Sequence, residues 1–246
     1  MTARQFILVT TLLLAGCGSA APTDTAALRV LFVGNSLTYT NDLPGMVAAF
    51  AEARTIAFEY ETIAFPNFSL EDHWYQGDTR SALSSERWDF VVLQQGPSSL
   101  PENQELLRVW TERFAEEGRL HSTEPALYMV WPDASRTSFF PAVIEAYSSA
   151  ASAVDGFLLP AGAAWLAAWE HNANLNLYGP DDFHPSEMGS YLAALVIFGG
   201  LFDVEPTGLP ATISLSGGTI IQVPSSTATV LQTAATEALA MYRVAR

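Results

Sequence analysis

Val30-Leu31-Phe32-Val33-Gly34-Asn35-Ser36-Leu37-Thr38 is an apolar run that ends in a glycine and two small polar residues. Residues 28–33 lack the alternation of a half-exposed strand, so they read as the first strand of a parallel sheet buried on both faces. Beyond the Gly-Asn-Ser turn, Leu43, Met46, Val47 and Phe50 have helical spacing, with Pro44 placed for a first turn. The same alternation continues along the chain. Residues 56–63, 90–93, 126–131 and 156–159 read as strands. Residues 70–83 (in pieces), 102–118, 139–153, 161–171 and 186–198 read as helices, the last with Ser186 as its cap. Short strands alternating with helices imply right-handed crossovers. The predicted fold class is therefore α/β, a three-layer α/β/α sandwich around a central parallel sheet of flavodoxin-like type. From about residue 204 the pattern changes: 211–223, around Ser216-Gly217-Gly218, reads as a hairpin and 226–243 as a final helix.

The first residues belong to a different kind of segment. Met1-Thr2-Ala3-Arg4, an apolar run through Leu14 and the ending Leu14-Ala15-Gly16-Cys17 describe a secretory leader over residues 1–16, too short for a permanent membrane span. The ending resembles the bacterial lipobox, which makes Cys17 the expected lipidation site. Cys17 is the only cysteine, so no intrachain disulfide forms, and thioether lipidation accounts for it. Residues 17–27 are small and polar, suited to a tether, and 28–246 form the expected folded domain. The expected location is the cell envelope, on the extracytoplasmic side, with the membrane reached through Cys17. Gly18 in place of an aspartate after that cysteine favours the outer membrane.

The chain contains no lysine, and its formal charge of −15 would repel phosphate backbones, which argues against nucleic acid as a partner. No glycine-rich phosphate loop is present, and Asp181, Asp182, His184 and His73 follow no familiar metal-ligand spacing, so neither a cofactor nor a metal is expected.

Asp181-Asp182-Phe183-His184-Pro185 places an acid three residues before a histidine. With Ser36 this supplies the parts of a Ser-His-Asp hydrolase in the order Ser, Asp, His. A serine hydroxyl needs a base within hydrogen-bond reach and an acid that fixes the base's tautomer. The three-residue offset favours Asp181 over Asp182 as that acid.

Gly34-Asn35-Ser36 after the first strand, Asp181-x-x-His184 near the C-terminus and the following Pro185 together resemble the SGNH (GDSL-like) hydrolase superfamily, over roughly residues 28–200. The resemblance implies Ser36 as nucleophile, His184 as base and Asp181 as its orienter, with no cofactor. It also implies three oxyanion donors: the Ser36 N–H, an N–H from a second loop and a side-chain amide from a third. The second loop corresponds to Asn67-Phe68-Ser69-Leu70. The superfamily's Gly-x-Asn-Asp after the third central strand is replaced here by Gln94-Gln95-Gly96-Pro97. Gln94, which shares a strand face with Val92, is the expected amide, with Gln95 or Asn67 as alternatives. Asn35, His73 and Trp131 are candidate substrate-lining residues; His73 could instead sit on a helix surface and Trp131 in the core.

The expected function is an extracytoplasmic serine esterase acting on ester substrates, first of all O-acetyl groups of glycans. The alternatives are a non-catalytic glycan-binding lipoprotein on the same fold, and a lipase or thioesterase for longer acyl chains.

Overall fold

The computed structural model describes residues 26–242. The expected leader, Cys17 and all but the last two residues of the tether lie outside the described residues. Five strands form one parallel sheet: β1 (Leu28–Gly34), β2 (Phe58–Ala64), β3 (Phe90–Leu93), β4 (Glu124–Tyr128) and β5 (Phe157–Leu159), in the order β2-β1-β3-β4-β5. Val30 to Val33 and Val91 to Leu93 are essentially inaccessible, as expected for central strands covered on both faces. In β2, at the sheet edge, only Ile63 is buried, which explains the alternation of its sequence.

The helices are α1 (Ser36–Tyr39), α2 (Leu43–Ala53), α3 (Leu70–Gln76), α4 (Asp78–Ser85), α5 (Pro101–Leu120), α6 (Phe140–Ala153), α7 (Ala161–His171), α8 (Glu187–Phe202) and α9 (Ser225–Tyr242). One layer is built from α2, α7, α8 and α9, the other from α3, α4, α5 and α6, so the arrangement is an α/β/α sandwich. The helical stretch predicted over 70–83 divides at Gly77, whose φ of +93° is a left-handed conformation that glycine adopts without a Cβ penalty. The central helix α8 is buried on nearly every side, because α2 covers one flank and α7 and α9 the other.

β6 (Thr212–Ser214) and β7 (Ile220–Gln222) pair antiparallel as the predicted hairpin. Ile213 and Ile221 are buried in the common core, and the Gln232 amide on α9 donates to Tyr191 Oη (3.1 Å) and Leu209 O (2.9 Å). The C-terminal elements are therefore integral to the core. Among the described residues no helix is long and apolar enough to cross a membrane.

The strand order turns around at β1: the chain goes from β1 to β2 on one side, then crosses back to β3 on the other. In open α/β sheets the crevice at such a switch point, beyond the carboxyl ends of the strands, receives ligands. Gly34 ends β1 and Leu93 ends β3, so the Gly-Asn-Ser and Gln-Gln segments face each other across that crevice.

Candidate active site

Ser36 is the first residue of α1. Asn35 caps that helix, its Oδ1 accepting from Leu37 N–H at 3.1 Å. The Ser36 N–H makes no hydrogen bond among the described residues. Ser36 Oγ lies 2.8 Å from His184 Nε2, and His184 Nδ1 lies 2.5 Å from Asp181 Oδ2. A carboxylate only accepts, so Nδ1 carries the proton and Nε2 is left as the acceptor for the serine hydroxyl. Three residues spaced by 148 positions thus form one hydrogen-bonded chain.

Asp181 is held from several directions. His184 Nδ1–H is the main cause of a carboxyl pKa lowered to about 2, and the His184 and Phe183 N–H groups bind Oδ1 at 2.9 and 3.2 Å. The loop carrying both residues is closed by an antiparallel bridge between Tyr178 and Pro185 and by Gly179 N–H to His184 O at 2.7 Å. Three bonds then hang it from the end of β4: Tyr178 Oη to Pro132 O (2.6 Å), Ala134 N–H to Asp182 O (2.8 Å) and Trp131 Nε1–H to Phe183 O (3.1 Å). Asp182 has a left-handed φ of +59° and contributes its carbonyl to this suspension, leaving Asp181 against the imidazole. Asn41, also left-handed, ties the segment after Ser36 to the same loop through Pro185 O (3.1 Å) and Ser190 Oγ (2.9 Å). Its role was invisible in sequence; an asparagine in a short turn, where it tolerates φ > 0, was the only signal.

Several expected site residues stand elsewhere. Trp131 does not floor a pocket: it is fully buried, stacks on Trp165 with centroids 3.7 Å apart, and acts as a strut beneath the histidine loop. Asn35 does not line the cleft either, since its side chain is bonded to Leu37, Gln94 and Phe68 O. His73 is neither in the cleft nor on a surface. It lies fully buried against Phe65 and Phe68, with Nε2–H donating to Gly34 O at 2.7 Å; burial lowers its pKa, and among the described residues Nδ1 has no hydrogen-bond partner.

The expected oxyanion set is also corrected. Gln94 is inaccessible, and both hydrogens of its Nε2 are committed, to Asn35 Oδ1 (3.1 Å) and Gln95 O (2.5 Å). Gln95 accepts from Leu70 N–H (3.2 Å) and donates to Ser98 Oγ (3.1 Å). In the second loop Phe68 N–H is bonded to Phe65 O, Ser69 N–H to Asp72 Oδ2 and Leu70 N–H to Gln95 Oε1. Asn67, exposed at the apex with φ +61°, is the member of that loop whose N–H and carboxamide both lack a hydrogen-bond partner among the described residues. Among the described residues no three His, Cys, Asp or Glu side chains converge as a metal site.

A parallel sheet with a switch-point serine, and an Asp-x-x-His loop folded over it, define the SGNH/GDSL-like hydrolase fold, and the chain has that fold. It is similar to a candidate SGNH hydrolase from Slackia heliotrinireducens (28% identity, TM-score 0.59), covering 72% of this chain and 100% of that one. It is also similar to a DUF4886-family protein from Bacteroides uniformis (19% identity, TM-score 0.73; 89% of this chain, 98% of that one). A third similar structure is a lipase/acylhydrolase from Enterococcus faecalis (14% identity, TM-score 0.58; 73% and 98%). No protein-family model and no curated protein matches the chain.

Proposed function

We propose that this protein is a serine esterase of the cell envelope that removes acyl groups, first of all O-acetyl groups, from glycans. The observation that carries the reading is the Ser36–His184–Asp181 chain at 2.8 and 2.5 Å. Ser36 Oγ attacks the ester carbonyl carbon as its proton passes to His184 Nε2. The imidazolium, stabilised by Asp181, returns that proton to the departing alkoxide and leaves an acyl-serine. Water, deprotonated by His184, attacks the acyl carbon; Ser36 regains the proton and the carboxylic acid departs. The oxyanion is met by the free Ser36 N–H and by the Asn67 N–H and amide, each donor contributing a few kcal/mol.

The glycan part of the proposal draws on exposure and on the leader-like N-terminus. The His184 and Asp181 side chains are 34% and 52% exposed. Such an open triad suits an ester displayed on a bulky solvated polymer. A non-catalytic glycan-binding role is the second reading, favoured by the commitment of Gln94, which removes the amide expected of the third loop.

The test is hydrolysis of p-nitrophenyl acetate and of acetylated oligosaccharides by wild type and Ser36→Ala. Turnover lost in the folded variant supports the esterase. Turnover that survives Ser36→Ala overturns it, and oligosaccharide binding without acyl release favours the second reading.

A further inference from the structure

Both polar atoms of the Gln94 side chain bind Asn35, the residue before the nucleophile. Its Oε1 accepts from Asn35 N–H and from Thr38 Oγ1–H, both at 2.8 Å, while its Nε2 donates to Asn35 Oδ1 and Gln95 O. The fit is tight: a Cβ added at Gly34 would stand 2.3 Å from Gln94 Oε1, so only glycine admits the carboxamide there. Through Asn35 the contacts branch outward. Asn35 Oδ1 holds Leu37 N–H, and Asn35 Nδ2–H donates to Phe68 O at 3.0 Å in the loop that carries Asn67. The amides on both sides of Ser36 are therefore fixed through one carboxamide, and the N–H between them is left free.

We infer that Gln94 is a positioning residue for the oxyanion site: its fully buried carboxamide aims the Ser36 N–H and holds Asn35, whose own amide ties the Asn67 loop to the nucleophile turn. This rests on the serine-hydrolase reading above. It differs from the role implied by the superfamily resemblance, in which an amide at this strand end touches the oxyanion itself. Here the amide acts one bond further back and contacts no substrate.

The experiment compares wild type, Gln94→Glu, Gln94→Met, Thr38→Val and Ser36→Ala in the full chain. Gln94→Glu keeps the acceptor but turns a donor into an oxygen facing Asn35 Oδ1 and Gln95 O. We expect kcat on p-nitrophenyl acetate at pH 8 to fall about 10²-fold, the scale of a lost oxyanion donor, with KM changed less than about threefold. A buried carboxyl beside two acceptor oxygens takes up a proton readily, and the protonated form donates again. The deficit relative to wild type should therefore shrink as pH is lowered to 6. The other titratable groups facing this site are His73, on Gly34 O, Tyr128 Oη, on Leu37 O, Tyr147 Oη, on Gln95 O, and His184 across Ser36. They are common to both proteins, so the ratio isolates position 94. Should Gln94→Glu fail to fold, Thr38→Val, which removes one bond to Oε1, should lower kcat about 3- to 10-fold at constant KM. In Gln94→Met, NMR amide exchange at Asn35 should accelerate at least tenfold.

A folded Gln94→Glu with kcat within threefold of wild type, or, where that variant does not fold, an unchanged Thr38→Val, overturns the inference. If Ser36→Ala retains wild-type turnover, the esterase reading is what fails. Asn35 exchange then decides Gln94: acceleration in Gln94→Met supports the clamp and unchanged exchange overturns it.

Discussion

Trp131→Phe separates two roles for a tryptophan near the catalytic histidine. The substitution keeps an aromatic ring against Trp165 but deletes the Nε1–H that holds Phe183 O at 3.1 Å. Leaving this part-buried carbonyl without its donor costs up to about 1–3 kcal/mol. The smaller ring leaves a void on the order of 40 Å³, worth about 1 kcal/mol at ~24 cal/mol per Å³. The total, about 2–3 kcal/mol after partial relaxation, corresponds to a Tm lower by about 4–12 °C for a chain of this size. Because Phe183 N–H also binds Asp181, a loosened loop should misplace the acid and base together, so kcat should fall about tenfold at constant KM. Differential scanning calorimetry and a p-nitrophenyl ester titration read both effects. A variant with unchanged Tm and kcat but a raised KM would refute the strut and restore a substrate-contacting tryptophan.

Asp181→Asn should reduce kcat about 10³- to 10⁴-fold while leaving Tm within about 2 °C, because the carboxylate is half exposed and its function is to fix the tautomer of His184; a loss under tenfold in a kinetic assay would contradict this. Asp181, its carboxyl pKa lowered to about 2 chiefly by the hydrogen bond from His184, should add no ionisation of its own to the kcat/KM profile between pH 4 and 7; an acid limb with a limiting slope of two in that range would show Asp181 titrating there. His73 has a pKa lowered by burial, so the unfolded chain binds a proton more readily and this residue costs stability as pH falls below about 6.5. Removing that titration by His73→Gln should flatten the difference in Tm between pH 7.5 and 5.5 relative to wild type; parallel curves would argue against it.

Much of the architecture was legible because it follows from periodicity. The unbroken apolar runs at β1 and β3 and the cap at Ser186 are local signals, read without knowing what lies beside them. The Gly-Asn-Ser and Asp-x-x-His segments were equally local, and the fold, with the histidine loop hung from the end of β4, brings Ser36 and His184 to 2.8 Å. The side chains whose place was not legible have partners far away in sequence. Gln94 meets Asn35 across 59 positions, Trp131 meets Phe183 across 52 and His73 meets Gly34 across 39. For each, residue type announced a polar group near the site. Whether that group pointed into the crevice or under it depends on side-chain direction at a strand end or in a capped helix, which composition does not encode. The same limit explains why the helix over 70–83 was expected in pieces while Gly77, its hinge, was not singled out.

The direction of β1 has a consequence for how the protein would meet its surroundings. The strand begins at Leu28, next to the tether, and ends at the nucleophile turn, about 20 Å away at ~3.3 Å per residue. A domain suspended from a lipid on Cys17 would hang by the end of the sheet remote from Ser36, with its catalytic mouth turned toward the aqueous space. Esters in the supporting bilayer would then lie behind the domain, while strands of a polymer crossing the envelope would approach it from the front. If residues 17–27 serve as the tether their composition suggests, those eleven residues, at most about 40 Å when fully extended, would set how far into that mesh the mouth can reach.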